Sequence, residues 1–298
     1  NSFSSADLSA SIPEVWGGLM MEQKFPNFVL QNFVNDLSDM IEEGDIIHVP
    51  DIYTNTFSAS TQSTEGAEVT LTSPAQVDNT ISVDTQKYIA FILGDKTMSQ
   101  LVKSVNLGEK YATMCKKTLL QELENSLFAL YTSLTATALG SAAAAIADLD
   151  FRSAVAYMEG LNFYENNAVF MHHKVYFNQF IGLSKISPNY SANLNAIKTG
   201  LLGDGVANSQ VKGVAYGTPV FTSPLVPNPS SVAKNMILNK EAFAFGVKNR
   251  TFDKVRVQSQ YKLENLGMLT VADIIYGVGV TRPEAGVVIN ALSTATVA

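Results

Sequence analysis

The sequence predicts an α+β chain, and three observations carry that expectation. Apolar residues recur at helical spacing from about Leu107 to Leu134. The final third instead breaks into short runs rich in β-branched residues, at 236–238, 255–257, 270–280 and 287–289. Between Phe25 and Lys87 lie ten acidic residues, Asp36, Asp39, Glu42, Glu43, Asp45, Asp51, Glu65, Glu68, Asp78 and Asp84, and not one lysine or arginine. Strand-like runs at 46–52 and 88–92 flank its long polar loop.

Taken in chain order, residues 1–40 begin as an extended arm carrying Ile12-Pro13-Glu14-Val15-Trp16. Phe28, Val29, Phe33, Val34 and Leu37 then have the spacing of a short amphipathic, partly helical segment. Glu42-Glu43-Gly44-Asp45 forms a turn, and lacks the alternating oxygen ligands of a calcium loop. Ile46, Ile47, Val49 and Ile52 mark a first strand, and 88–92 a second. The Ser/Thr-rich sequence from Tyr53 to Thr85 has too few large apolar residues to offset its own ordering entropy. The two strands are therefore expected to flank a long acidic loop.

Asn106 and Glu109 have the spacing of a capping box opening the long helix, on which Ala112, Cys115, Leu119, Leu120, Leu123, Leu127, Leu130 and Tyr131 form the apolar stripe. Small residues from Thr135 to Ala145 link it to a second helix, capped by Asp148 and running through Met158 with Phe151 and Val155 inward. Ala168-Val169-Phe170-Met171 reads as a buried strand, followed by a short helix with Tyr176, Phe177 and Phe180. A loop over 187–209 leads into strand, turn and strand over 211–220, ended by Pro224, Pro227 and Pro229. A short helix is expected over 241–247, among the last strands.

With 298 residues, 46% apolar and only 16% charged, the chain can bury a sizeable core and has little solvated charge. Such a composition suits extensive subunit contact, because interface cores are depleted in charge. The net charge of −7 argues against a reader of nucleic-acid phosphates. The single cysteine, Cys115, allows no internal disulfide and is expected as a small core hydrophobe. No apolar run reaches the ~20 residues of a membrane-spanning helix. Asn1-Ser2-Phe3-Ser4-Ser5 does not open a basic region followed by an apolar core, so no secretory signal is expected from it.

Motifs for chemistry are sparse. His48 lies in a strand, and His172 and His173 are expected on opposite faces of a strand end; neither arrangement is the i, i+4 pair of a zinc helix. No nucleophile elbow, phosphate loop or dinucleotide fingerprint occurs, and Gly277-Val278-Gly279 is better read as strand. The expectation is no catalysis, no cofactor and no metal.

The order of elements and several stretches resemble the major capsid protein of tailed bacteriophages, the Hong Kong 97-like fold. These stretches are Gly44-Asp45-Ile46-Ile47-His48-Val49-Pro50; Leu149-Asp150-Phe151; Val211 through Ser223; Glu241-Ala242-Phe243-Ala244-Phe245; and Tyr276 through Glu284. The resemblance covers nearly the whole chain. It implies an N-terminal arm over 1–45 and an extended β-hairpin loop over 46–93 that reaches across a neighbouring subunit. It implies further a peripheral domain over 94–145 and 233–298 containing the spine helix, and an axial α/β domain over 146–232. The implied role is that of a shell subunit forming pentamers and hexamers of an icosahedral head. Such a head is assembled in the host cytoplasm and encloses double-stranded DNA without sequence-specific binding or a membrane. Scaffold, portal and decoration proteins are the further partners it allows. Some members of the family lock the shell through a loop lysine joined to a neighbour's asparagine. No lysine occurs between Asp51 and Gln86, which excludes that bond from this loop.

Charge adds an expectation of its own. From 240 to 262 six bases, Lys240, Lys248, Arg250, Lys254, Arg256 and Lys262, face only two acids, Glu241 and Asp253. Asp51, Glu65, Glu68, Asp78 and Asp84 of one subunit are expected to dock on Lys110, Lys117, Lys248, Arg250, Lys254 and Arg256 of another, setting register more than stability. Reversing Lys254 and Arg256 to Glu is the corresponding test. The competing expectations are a bacterial nanocompartment shell, an enzyme with a dispersed site, and an adhesin or tail protein.

Overall fold

The structure, a computed structural model, describes residues 23–41, 44–51, 77–96, 107–183, 211–248 and 254–295. Three α-helices with described bounds, five short 3₁₀ helices and thirteen strands occur among them. In chain order they are β1 (Asn35–Asp36), β2 (Ile46–Asp51), β3 (Val77–Ser82), β4 (Thr85–Gly94), α1 (Leu107–Ala129), β5 (Leu139–Ser141), α2 (Asp148–Gly160), β6 (Asn167–His172) and α3 (His173–Asn178). There follow β7 (Val211–Ala215), β8 (Thr218–Ser223), β9 (Val232–Asn239), β10 (Phe243–Val247), β11 (Arg256–Lys262), β12 (Gly267–Val280) and β13 (Gly286–Leu292).

Two sheets dominate. The first is organised on the 14-residue β12. β10 and β11 follow one another along one side of it, β4 takes the other side, and β1 adds a short parallel edge to β10. The second sheet has six strands in the order β5-β13-β9-β6-β8-β7. The spine, α1, is 23 residues long, or ~35 Å at the α-helical rise, and ends in a 3₁₀ turn over Leu130–Ser133. Leu119, Leu123, Leu127 and Phe128 on its inner face share one core with Ala272, Ile274 and Tyr276 of β12 and with Val169, Phe170, Ile237 and Ile289 of the six-stranded sheet. Phe170 sits at its centre, with ring centroids 5.3 Å from Phe33 and 5.5 Å from Phe221.

Several expectations change. Residues 241–247 are not helical: Phe243, Phe245 and Val247 alternate with small residues, and the period of two places β10 beside β12. The acidic stretch contains an additional strand, β3, which is the partner of β2; β4 leaves the hairpin and pairs along ten residues with β12. β9 and β13, expected among the peripheral strands, join β6 and β8 instead. Residues 28–37 form turns and a bridge rather than a helix. Helix α2 starts at Asp148, so Ala147 holds the cap position; its N–H donates to the Asp150 carboxylate at 3.2 Å. The strand ends at His172 and the helix starts at His173, so the two imidazoles do not point apart but lie 4.4 Å apart by ring centroid. Trp16, the Asn106 cap and the 187–209 loop lie outside the described residues.

Candidate functional site

Among the described residues the chemistry-bearing side chains do not converge on one cleft; the feature that the sequence builds most deliberately is a seat for a hairpin. Across β10 and β12, Ala244 pairs with Gly279 and Gly246 with Gly277, which leaves a patch of sheet almost without side chains. The β2–β3 hairpin lies on it. A Cβ on Gly277 would overlap the Ser82 carbonyl, and one on Gly279 would come 2.6 Å from Ile81 Cγ1. At Gly246 the intruding atoms would be Ile41 Cδ1 at 2.5 Å and Ile47 Cδ1 at 2.7 Å. Ile47, Ile81, Val83 and Ala244 are buried there, with Leu37, Ile41, Val49 and Ile275 packed around them. Backbone can approach this closely only where the sheet carries no Cβ.

Polar contacts rim the seat. Lys248 pairs with Asp45 at the foot of β2, and the Asn79 amide donates to the Thr281 carbonyl at 3.2 Å. Lys254 Nζ is 2.8 Å from Asp36 and lies 4.3 Å from the Phe245 ring centroid. Burial pushes the Asp36 carboxyl up, but Lys254 and the donors of Ser38 outweigh it and hold it below its ordinary value. Arg256 grips Asp273 with two bonds, Nε at 2.9 Å and Nη2 at 2.7 Å. Those bonds keep the nearly buried Asp273 carboxyl low, with Gln86 of β4 a weaker third donor at 3.4 Å.

The residues named from charge are therefore placed as follows. Lys248, Lys254 and Arg256 each hold an acid of their own chain, so reversing Lys254 and Arg256 breaks the internal pairs with Asp36 and Asp273 as well as any outer contact. Asp78 pairs with His48 across the hairpin. Asp84 is exposed next to the end of β3. Lys117 lies over the Phe25 ring at 5.8 Å, and Lys110 is half-buried on α1. Asp51 belongs to β2. Glu65, Glu68 and Arg250 lie outside the described residues.

Sequence reasoning missed one site. Glu124, in the middle of the spine and 0% exposed, accepts three successive backbone N–H groups: Val29 at 2.9 Å and Leu30 at 2.7 Å on Oε1, and Gln31 at 3.0 Å on Oε2. Burial pushes its carboxyl up against the pull of those donors. A glutamate four residues after Leu120 and three before Leu127, in line with the apolar stripe, was the available signal.

Elsewhere, burial drives the His172 imidazole down to about 4, with the neighbouring His173 and Lys174 adding to the effect. Cys115 packs half-buried against the core, and burial pushes its thiol up. Two adjoining clefts of about 590 and 460 Å³ share Phe163, Tyr164 and Asn166, and neither is lined by a histidine or cysteine. Among the described residues no group of three or more His, Cys, Asp or Glu side chains could hold a metal ion. Among them, too, no helix is long and apolar enough to cross a membrane.

No protein-family model and no curated protein sequence matches the chain. Solved structures do. A chain of Mycobacterium phage Che8 superposes with a TM-score of 0.70 at 17% identity, over 93% of this chain and 96% of that one. The capsid of a native GTA particle gives 0.72 at 13% identity, over 97% and 98%. The capsid of Cyanophage P-SCSP1u gives 0.69 at 13%, over 95% and 93%. The superpositions run over almost the full length of those chains, and the fold is that of tailed-phage major capsid proteins, the Hong Kong 97-like fold.

Proposed function

We propose that the chain is a major capsid protein that assembles, as pentamers and hexamers, into the icosahedral head of a phage and encloses double-stranded DNA. The observation that carries this reading is the match to capsid chains over 93% or more of both partners. Its role is structural rather than catalytic, and its place is the virion, after assembly in a host cytoplasm. Copies of itself are its main partners. Contacts of Asp51, Glu65, Glu68, Asp78 and Asp84 with a neighbour's Lys110, Lys117 and Arg250 belong to this proposal. Lys248, Lys254 and Arg256 enter it as residues whose internal pairs a neighbour would have to share.

The test is negative-stain electron microscopy of the full chain after size exclusion, alone and with a scaffold protein supplied. Closed shells tens of nanometres across are expected, and nuclease-protected DNA in particles from infected cells. Small discrete oligomers under both conditions would overturn the reading. Shells that enclose a protein cargo and no DNA would replace the phage head with a nanocompartment.

A further inference from the structure

The segment leading from the spine to the hairpin is anchored at two ends by different chemistry. At the spine end, residues 29–31 wrap three consecutive amides around the buried Glu124 carboxylate, and the Gln31 amide donates to the Leu120 carbonyl at 2.7 Å. Successive backbone N–H groups converging on one anion form a nest. At the other end, Asn35 and Asp36 make only a two-residue parallel bridge to Ala244 and Phe245. Leu37 N–H donates to the Phe245 carbonyl at 2.8 Å, and Val247 N–H donates to Ser38 Oγ at 3.0 Å. Ile41 then meets Ile47 of the hairpin directly above Gly246.

We infer that residues 29–41 form a strap coupling the middle of the spine helix to the hairpin, so that release of Glu124 loosens the hairpin on its seat. The coupling is physical contact. Strap residues Leu37 and Ile41 complete the small cluster that buries Ile47 and Ile81, and that cluster is separate from the main core. Val29, Leu30 and Val34 pack into the main core, and the two-residue bridge, the Lys254–Asp36 pair and two hydrogen bonds hold the far end, so Glu124 supplies the polar part of the spine anchor. Glutamine has the shape of Glu124 but replaces one accepting oxygen with an N–H₂ group. Whichever way its amide turns, at least one strap N–H then faces a donor.

The test is hydrogen–deuterium exchange on full-length Glu124→Gln, read peptide by peptide in whatever oligomer the chain forms, so that it does not depend on shell assembly. The amides of Val29, Leu30 and Gln31 are expected to exchange at least tenfold faster. Those of β2 and β3 should accelerate with them, while β6 and β9 keep their protection. Faster exchange in 29–31 with an unchanged hairpin would overturn the coupling, as would no change in 29–31. Should this variant fail to fold, Asp36→Asn loosens the other end of the strap, where Lys254 and Ser38 hold it. Acceleration of β2 and β3 supports the strap in that variant; wild-type exchange there overturns it.

Discussion

Asp273 shows how a charge on the sheet is made tolerable. Its side chain is 8% exposed in the middle of β12, and the Arg256 fork satisfies it from the neighbouring strand. Because that pairing lowers the folded-state carboxyl below its ordinary 3.8, it contributes stability above that value and loses it as pH falls through the lowered one. Arg256→Met should therefore cost about 1–3 kcal/mol at pH 7, the penalty for leaving a nearly buried acceptor short of donors. The gap from wild type should narrow in denaturant titrations as pH falls below ~3.8 and close only below the lowered folded-state value. A gap that persists unchanged in acid would mean that Arg256 acts by packing alone. Residue-level roles of this kind were only half legible. The charges around 254–256 stand out in the sequence, but their partners Asp36 and Asp273 are 218 and 17 residues away, differences visible only by subtraction after the fold is known.

At the scale of elements, periodicity identified the spine and most late strands because their apolar spacing is strong. It failed for β10, where Phe243-Ala244-Phe245 satisfies either period over so few residues and pairing with β12 decides. It failed again for β3, because Asp78-Asn79-Thr80 gives it little apolar character, and Ile81 is its described side chain in the core. The glycines of β12 were noticed as strand, but the reason for them needs the hairpin above. Gly277→Val should consequently lift the hairpin root from the sheet. Overpacking of this kind costs about 1–3 kcal/mol. Calorimetry should register the loss, with faster amide exchange confined to β2, β3 and the facing part of β12. A stability equal to wild type would show that the hairpin does not depend on the bare patch.

Over the whole molecule, the resemblance anticipated the fold, and the border it implied near residue 232 runs through the six-stranded sheet. A boundary near residue 232 separates β9 and β13 from β6 and β8, although these strands form one sheet. The chain makes the border ambiguous because, besides the spine helix that links β4 to β5, it crosses between the sheets twice more from strand to strand: β9 continues into β10, and β12 continues into β13. One buried core spans both sheets, so the subunit should unfold as a unit. Calorimetry of unassembled chain is expected to show a single transition; two resolved transitions would restore the two-domain division.

The double crossing has a mechanical consequence. At the bend, Asn239 N–H donates to the Ala285 carbonyl at 2.9 Å, and the N–H groups of Thr281 and Arg282 both donate to the Ala242 carbonyl. Arg282 braces the same turn through Glu241 at 2.5 Å. Two covalent strands therefore leave one sheet and enter the other side by side. Tension between the sheets at this bend divides between the two crossings, with the spine helix a third covalent link from β4 to β5. A single connecting strand would concentrate the same pull on one ladder and peel it bond by bond. The subunit thus has a tie-rod running through its middle, built from the stretch of chain in which its two sheets are hardest to tell apart.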